Sequence, residues 1–279
     1  MLSSASSSTS PQPARSVLLT GAAGNVGRLL RPILARNFAL KVTDIVDFDT
    51  TEGESKIVGD LASPDFCKQA VSEVDAVIHL AGLVGPAFAF EETIDPNYRA
   101  VLNLLQASHS KGIGRFIFAS SHHAVGLYSS SGRYDERVPP APDGYYGLSK
   151  VFGEAACSMY ARRYGMRTML LRIGNADAKV ADGRRERLWT SARDMAQLIE
   201  IGLRHPQVEC DIVYAVSNCP NSIFDNRRAE ELGYRPVDFA GENRAVDFKS
   251  LNELPADAVK KVGGFFAISE LPAPSGRKT

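Results

Sequence analysis

The sequence predicts an α/β fold, a doubly wound parallel sheet with a small C-terminal lobe, and three observations carry that reading. Short apolar runs alternate with longer amphipathic stretches from residue 16 to about residue 174, the rhythm of repeated βαβ units. A glycine-rich turn joins the first run to the first amphipathic stretch. Beyond Gly174 the rhythm loosens, and Pro206, Pro220, Pro236, Pro255, Pro272 and Pro274 punctuate the chain.

Residues 1–15 are Ser-rich and hold too few apolar groups to offset their ordering entropy, which predicts a disordered tail. They lack both the apolar core and the arginines of a targeting segment. Six strands are expected at 17–19, 40–46, 56–58, 76–80, 115–119 and 168–173, with helices at 26–36, 65–72, 93–110 and 146–164. Two further helices, 193–203 and 226–232, are expected among loops. Residues 16–174 are therefore read as the sheet domain and 175–279 as mainly a second lobe.

Of the 279 residues, 44% are hydrophobic and 23% charged, enough to bury a proper core. Lys and Arg number 32 against 32 Asp and Glu, so the surplus of cations that phosphate neutralisation requires is missing, which argues against a general nucleic-acid binder. The most apolar stretch, residues 74–90, contains Asp75, His79, two glycines and Pro86 and suits a strand and loop, not a membrane span. Cys67, Cys157, Cys210 and Cys219 show no CxxC spacing, so neither a metal site nor a disulfide framework is expected, and a reducing cytoplasm fits.

Val17-Leu18-Leu19-Thr20 enters Gly21-Ala22-Ala23-Gly24-Asn25-Val26-Gly27 and then the amphipathic stretch 28–36. Strand, glycine turn and helix in this order suit a dinucleotide pyrophosphate: missing side chains let the phosphates approach, and the helix N-terminus offers unpaired N–H groups and partial positive charge. The sheet is read as Rossmann-type on this ground, although the same glycines would also serve a turn that merely packs helix on strand. Asp44, 20 residues after Gly24, stands where an acid accepts hydrogen bonds from the adenosine ribose and repels a 2′-phosphate, favouring NAD over NADP. Asp47 and Asp49 compete for that role. Asp60-Leu61, after the third strand, is placed to meet the adenine or, equally well, to form a cap or turn before Pro64.

Tyr146-Gly147-Leu148-Ser149-Lys150 sets a phenol and an ammonium four residues apart, on one face of a helix. The ammonium is expected to draw the phenol from its ordinary pKa of about 10 towards neutrality, which makes Tyr146 a usable general base. In Phe116-Ile117-Phe118-Ala119-Ser120-Ser121-His122-His123 a strand emerges into polar residues at its carboxyl end, where open α/β sheets bind ligands. On an extended backbone Ser121 and His123 share one side, Ser120 and His122 the other. Ser121 is preferred as the substrate-orienting hydroxyl and Ser120 as a backbone cap.

Together, TGAAGNVG (20–27), IHLAG (78–82), FASS (118–121) and YGLSK (146–150) resemble the extended short-chain dehydrogenase/reductase superfamily over residues 17–203. Within it the chain is most similar to the uronate dehydrogenases, which oxidise C1 of a hexuronic acid to an aldonolactone with NAD; FASSHHAVGLY, DGYYGLSK and LLRIG (170–174) carry that narrower resemblance. The resemblance implies Tyr146 as base, Lys150 as its pKa-lowering partner and nicotinamide-ribose ligand, and Ser121 as the hydroxyl-orienting catalytic group. It implies cofactor contacts from Gly21, Ala23, Gly24, Asn25, Val26 and Gly27 of the loop and from Asp44, Asp60 and Leu61. Leu80, Ala81, Gly82 and Ile173 are implied on the same ground, with Asn97 supporting that region.

The resemblance also sets Arg184 where a bidentate guanidinium grips the substrate carboxylate, with Arg185 and Arg187 leaving the register open, and His123 beside the sugar. Three positions depart from the family pattern: Val84 replaces a pocket serine, His122 an asparagine and Asn175 a serine. Each alters hydrogen bonding to sugar hydroxyls, where an unpaired polar group costs about 1 to 3 kcal/mol. The implied activity is NAD-dependent oxidation of a sugar-acid hydroxyl by a cytoplasmic homo-oligomer with a small-molecule substrate, no metal, and no nucleic-acid or membrane partner. Two rivals stand beside it. A nucleotide-sugar epimerase or dehydratase using bound NAD transiently is disfavoured by the 129 residues that follow Lys150, few for a nucleotide-holding lobe. A non-catalytic dinucleotide sensor is disfavoured by intact Ser121, Tyr146 and Lys150.

Overall fold

The computed structural model describes residues 15–274; residues 1–14, where the disordered tail is expected, and 275–279 lie outside the described residues. Ser16–Thr20 forms β1, Asn25–Leu34 α1, Ala39–Asp44 β2, Ser55–Val58 β3, Pro64–Ala70 α2 and Ala76–His79 β4. Phe90–Thr93 (α3), a π-helical segment Ile94–Arg99 and Ala100–Ser110 (α4) follow one another without a break. Arg115–Ser121 is β5, Tyr145–Tyr164 α5, Arg167–Ile173 β6, Val180–Asp182 β7, Gly183–Glu186 α6, Ala192–Arg204 α7 and Cys210–Ala215 β8. The remainder holds Arg227–Glu231 (α8), Arg244–Lys249 (β9), Ala256–Lys260 (α9) and Phe265–Ile268 (α10).

Seven strands run parallel in the order β3-β2-β1-β4-β5-β6-β8, and the order reverses between β1 and β4. Chain connections leave that point in opposite directions and open a crevice at the carboxyl edge. On one face Val17, Leu19, Val42, Ile78 and Met169 meet Leu30 and Leu34 of α1 and Leu198 and Ile199 of α7. On the other, Leu18, Val77, Phe116 and Leu170 meet Cys67, Val101, Leu104 and Cys157 of α2, α4 and α5. Strands covered on both faces read as continuous apolar runs, which is why the sequence announces them so clearly.

Two features differ from expectation. The helix expected at 93–110 begins at Phe90 and widens to π geometry at Ile94–Arg99, where Pro96 has no N–H to continue the regular ladder. The sheet also gains a seventh strand, β8, that the sequence pattern hides because Asp211 interrupts its apolar run. That carboxylate is satisfied by Glu209 N at 3.0 Å and Arg228 Nε at 2.7 Å. With α7, β8 extends the sheet layer well past residue 174, so the part of the C-terminal region standing apart from the sheet is smaller than the boundary at 174/175 implies. Among the described residues no helix is long and apolar enough to cross a membrane, and no group of three or more His, Cys, Asp or Glu is placed to hold a metal ion.

A buried ionic network ties α5 to the sheet. Glu154 takes Arg172 Nε and Nη2 at 2.9 and 3.0 Å, accepts from Ser120 Oγ at 2.5 Å, and Arg172 Nη1 donates to Tyr214 Oη at 3.2 Å. Arg172 is 1% exposed, so removing its partner leaves a charge without water. Glu154→Ala is expected to lower the unfolding free energy by about 3 to 5 kcal/mol in urea denaturation. A loss below about 1 kcal/mol, the scale of a surface pair, would contradict this.

Candidate active site

The carboxyl ends of β1 to β6 open on one cleft of about 780 Å³. At one end lies the glycine loop. Gly21 has φ +72°, and a Cβ there would sit 2.7 Å from Ala81 N; a Cβ on Gly27 would sit 2.3 Å from Gly21 O. These glycines let loop, helix and the β4 exit close on one another. Gly24 caps α1 with no side-chain hydrogen bond, and the first helical turn holds no acid, so the N–H groups of Asn25, Val26 and Gly27 head the helix uncapped by any side chain. The uncapped helix head and the close-packed glycines fit a dinucleotide such as NAD.

Asp44 ends β2 and lines the cleft, accepting from Ala23 N at 2.9 Å and Ile45 N at 2.8 Å. Asp47 instead pairs with Lys56 at 2.6 Å, and neither it nor Asp49 lines the cleft. Asp60 lines the cleft beside Leu61, and its Oδ1 accepts from Ala62 N at 2.8 Å in a turn before Pro64. Leu80, Ala81, Gly82 and Ile173 line the same wall. Asn97 does not. It sits behind Gly82, accepting from Leu83 N at 2.6 Å and donating to Leu83 O and Ser149 Oγ, each at 3.0 Å. Its support of the cofactor wall is thus indirect.

At the middle of the cleft β5 delivers Ser121 and α5 delivers Tyr146 and Lys150, all buried. Ser121 lines the cleft with Tyr146 and accepts from His123 N at 3.2 Å. Ser120, on the other side of the strand, faces Glu154. The Lys150 ammonium lies 5.4 Å from the Tyr146 ring centre and 5.2 Å from that of Phe118. The electrostatics differ in sign from the sequence expectation: burial pushes the Tyr146 phenol up to about 12, against the influence of the nearby Ser121 hydroxyl, and holds Lys150 down to about 8. Sequence spacing places two groups on one face but says nothing of the water they lose.

Val84, His122, His123, Asn175 and Arg184 also line the cleft, Val84 being 59% exposed. The three arginines differ in their partners. Arg185 also lines the cleft but pairs with Asp182 at 2.9 Å, and Arg187 donates to Asn221 O and Ser130 O. Arg184 lines the cleft, donates Nη2 to Val262 O at 2.6 Å, leaves Nε unpartnered and makes no ion pair among the described residues. Burial lowers it to about 10.

Two contributors escape the sequence reading. Asp143, three residues before Tyr146, lies 2.6 Å from His123 Nδ1, and a Cβ on Gly126 or Gly263 would collide with its carboxylate. An acid so near the tyrosine was its only sequence signal. Phe266 of α10 stacks on His123 with ring centres 4.1 Å apart, and no periodicity marks it.

Comparison with known proteins accords with this geometry. Residues 17–176 match the NAD dependent epimerase/dehydratase family, to which this chain belongs. The chain is 39% identical over 262 residues to a uronate dehydrogenase of Pseudomonas putida, covering 92% of this chain and 97% of that one. It superposes on the crystal structure of uronate dehydrogenase from Agrobacterium tumefaciens with a TM-score of 0.86 at 32% identity, covering 92% of this chain and 98% of the other. A mutant of that enzyme complexed with NAD gives a TM-score of 0.85 at 31% identity, with the same coverage.

Burial raises Asp143 to about 6 from an ordinary 3.8, so the folded chain holds this proton more tightly than the unfolded one. The resulting stabilisation is fully present below about pH 4 and is lost as pH rises through about 6. Asp143→Asn removes that dependence. Urea midpoints should therefore show wild type losing ground to the variant between pH 4 and pH 7; a pH-independent difference would count against the assignment.

Proposed function

We propose that this protein oxidises the C1 hydroxyl of a hexuronic acid to the aldonolactone with NAD. The observation that carries the substrate class is Arg184, a largely buried guanidinium in the cleft with no carboxylate of its own. A guanidinium fork matches a carboxylate in two parallel hydrogen bonds, and an incoming anion offsets the cost of burying the charge. The uronate dehydrogenases to which the chain is similar support the same reading.

Bound NAD would supply the hydride acceptor. The chain's own residues do the rest. Amides at the head of α1 hold the pyrophosphate, Asp44 the adenosine ribose, and Lys150 the nicotinamide ribose. Ser121 Oγ orients the reacting hydroxyl and Tyr146 Oη takes its proton, with the Lys150 ammonium favouring the phenolate. His122, His123, Val84 and Asn175 contact the sugar. Residues 16–174 thus serve the dinucleotide, the proton and part of the sugar site, and 175–274 the rest of the substrate site, through Asn175, Arg184 and α10.

Incubating the protein with NAD and a panel of hexuronic acids should form NADH with at least one of them. Turnover confined to neutral sugars would overturn the substrate class while keeping the reaction type. Tyr146→Phe should lower kcat by about 10²- to 10⁴-fold with NAD affinity unchanged. Arg184→Met should raise KM for the uronate by about 10- to 100-fold, the worth of a charge-assisted hydrogen bond, and leave NAD binding intact.

A further inference from the structure

His122 and His123 follow Ser121 directly, their ring centres are 4.1 Å apart, and both line the cleft. Each has one nitrogen committed to the protein. His122 Nδ1 lies 3.0 Å from the carbonyl oxygen of Ile173, and a carbonyl has no hydrogen to give, so Nδ1 carries the proton. His123 Nδ1 lies 2.6 Å from Asp143 Oδ2, which accepts in the same way when ionised. In a neutral imidazole the second nitrogen is then an acceptor only. Burial and the nearby Arg184 guanidinium both oppose a second proton on either ring.

His122 Nε2 is buried and has no partner among the described residues. Asn175 repeats the pattern. Its Nδ2 donates to Asp177 Oδ2 at 3.0 Å, which fixes the amide's orientation and leaves Oδ1 buried and unpartnered. A buried acceptor without a donor is costly, so these atoms call for hydrogens from whatever enters the cleft.

We propose that His122, His123 and Asn175 form a wall of hydrogen-bond acceptors that selects the substrate by its hydroxyl hydrogens, so that the site takes a polyhydroxy acid and rejects its deoxy or fluorodeoxy counterpart. The Arg184 donor reads the carboxylate, and the opposite polarity on this wall reads the ring hydroxyls. The inference rests on the uronate reading for its substrate class, but the polarity of the wall does not depend on it.

The polarity is tested without turnover by NMR of isotope-labelled imidazole nitrogens, with His122 resonances assigned by their loss in His122→Asn. At neutral pH both rings should be Nδ1–H tautomers, and the His122 Nε2 signal should move when a uronate is added. A proton on His122 Nε2, or an imidazolium, would overturn the proposal even if uronates are oxidised. The selectivity is tested kinetically with fluorodeoxy analogues of the best substrate, since fluorine accepts weakly but cannot donate. Substitution at two or more ring positions should lower kcat/KM by about 10- to 100-fold. In His122→Asn, whose amide can donate, one of those losses should shrink by about tenfold or more. Analogues handled as well as the parent would overturn it.

Discussion

Tyr146 and Lys150 are buried together one helical turn apart, and the proposed proton transfer requires the two to be charged at the same time. Alone, burial drives each towards neutrality, the phenol up to about 12 and the ammonium down to about 8. Opposite charges placed side by side offset that cost, and a cationic ring beside them would offset more of it. The surrounding structure holds this pair in place. Glu154, one turn beyond Lys150, is locked to Arg172 of β6 and to Ser120 of β5, which fixes α5 against the strand that presents Ser121. Asn97 ties the loop after β4 to Ser149, next to Lys150.

Around that centre the cleft is divided by chemistry. The glycine-loop end offers backbone amides with Asp44 and Asp60, the middle offers Ser121, Tyr146 and Lys150, and the far end offers arginine donors beside several acceptors. Consecutive residues of one strand end, Ser121, His122 and His123, serve the last two parts, because the chain leaves extended geometry at Ser121 for a single 3-10 turn. Phe266, arriving from the far end of the chain, stacks on His123 and limits where that ring can move.

Features that depend on local backbone rules were legible in the sequence. The glycine loop needs Gly21 and Gly27 for close approach, and the Tyr146–Lys150 spacing follows from helix geometry alone. What depends on distant partners was not. The β8 strand is disguised by Asp211, whose satisfaction by Arg228 only the fold reveals. The partners of Arg184, Arg185 and Arg187 lie on distant segments or emerge only from the fold, and Phe266 meets His123 across more than half the sequence. The burial of the Tyr146 phenol is hidden for the same reason: periodicity gives a face, whereas the loss of solvent comes from all the elements packed around it.

The most direct measurement is the titration of the Tyr146 phenol itself, taken as the ultraviolet difference between wild type and Tyr146→Phe. With saturating NAD the account predicts ionisation well below that of free tyrosine, about 10, reverting upward in Lys150→Met. A phenol that ionises only near 12, whether or not NAD and the lysine are present, would contradict it.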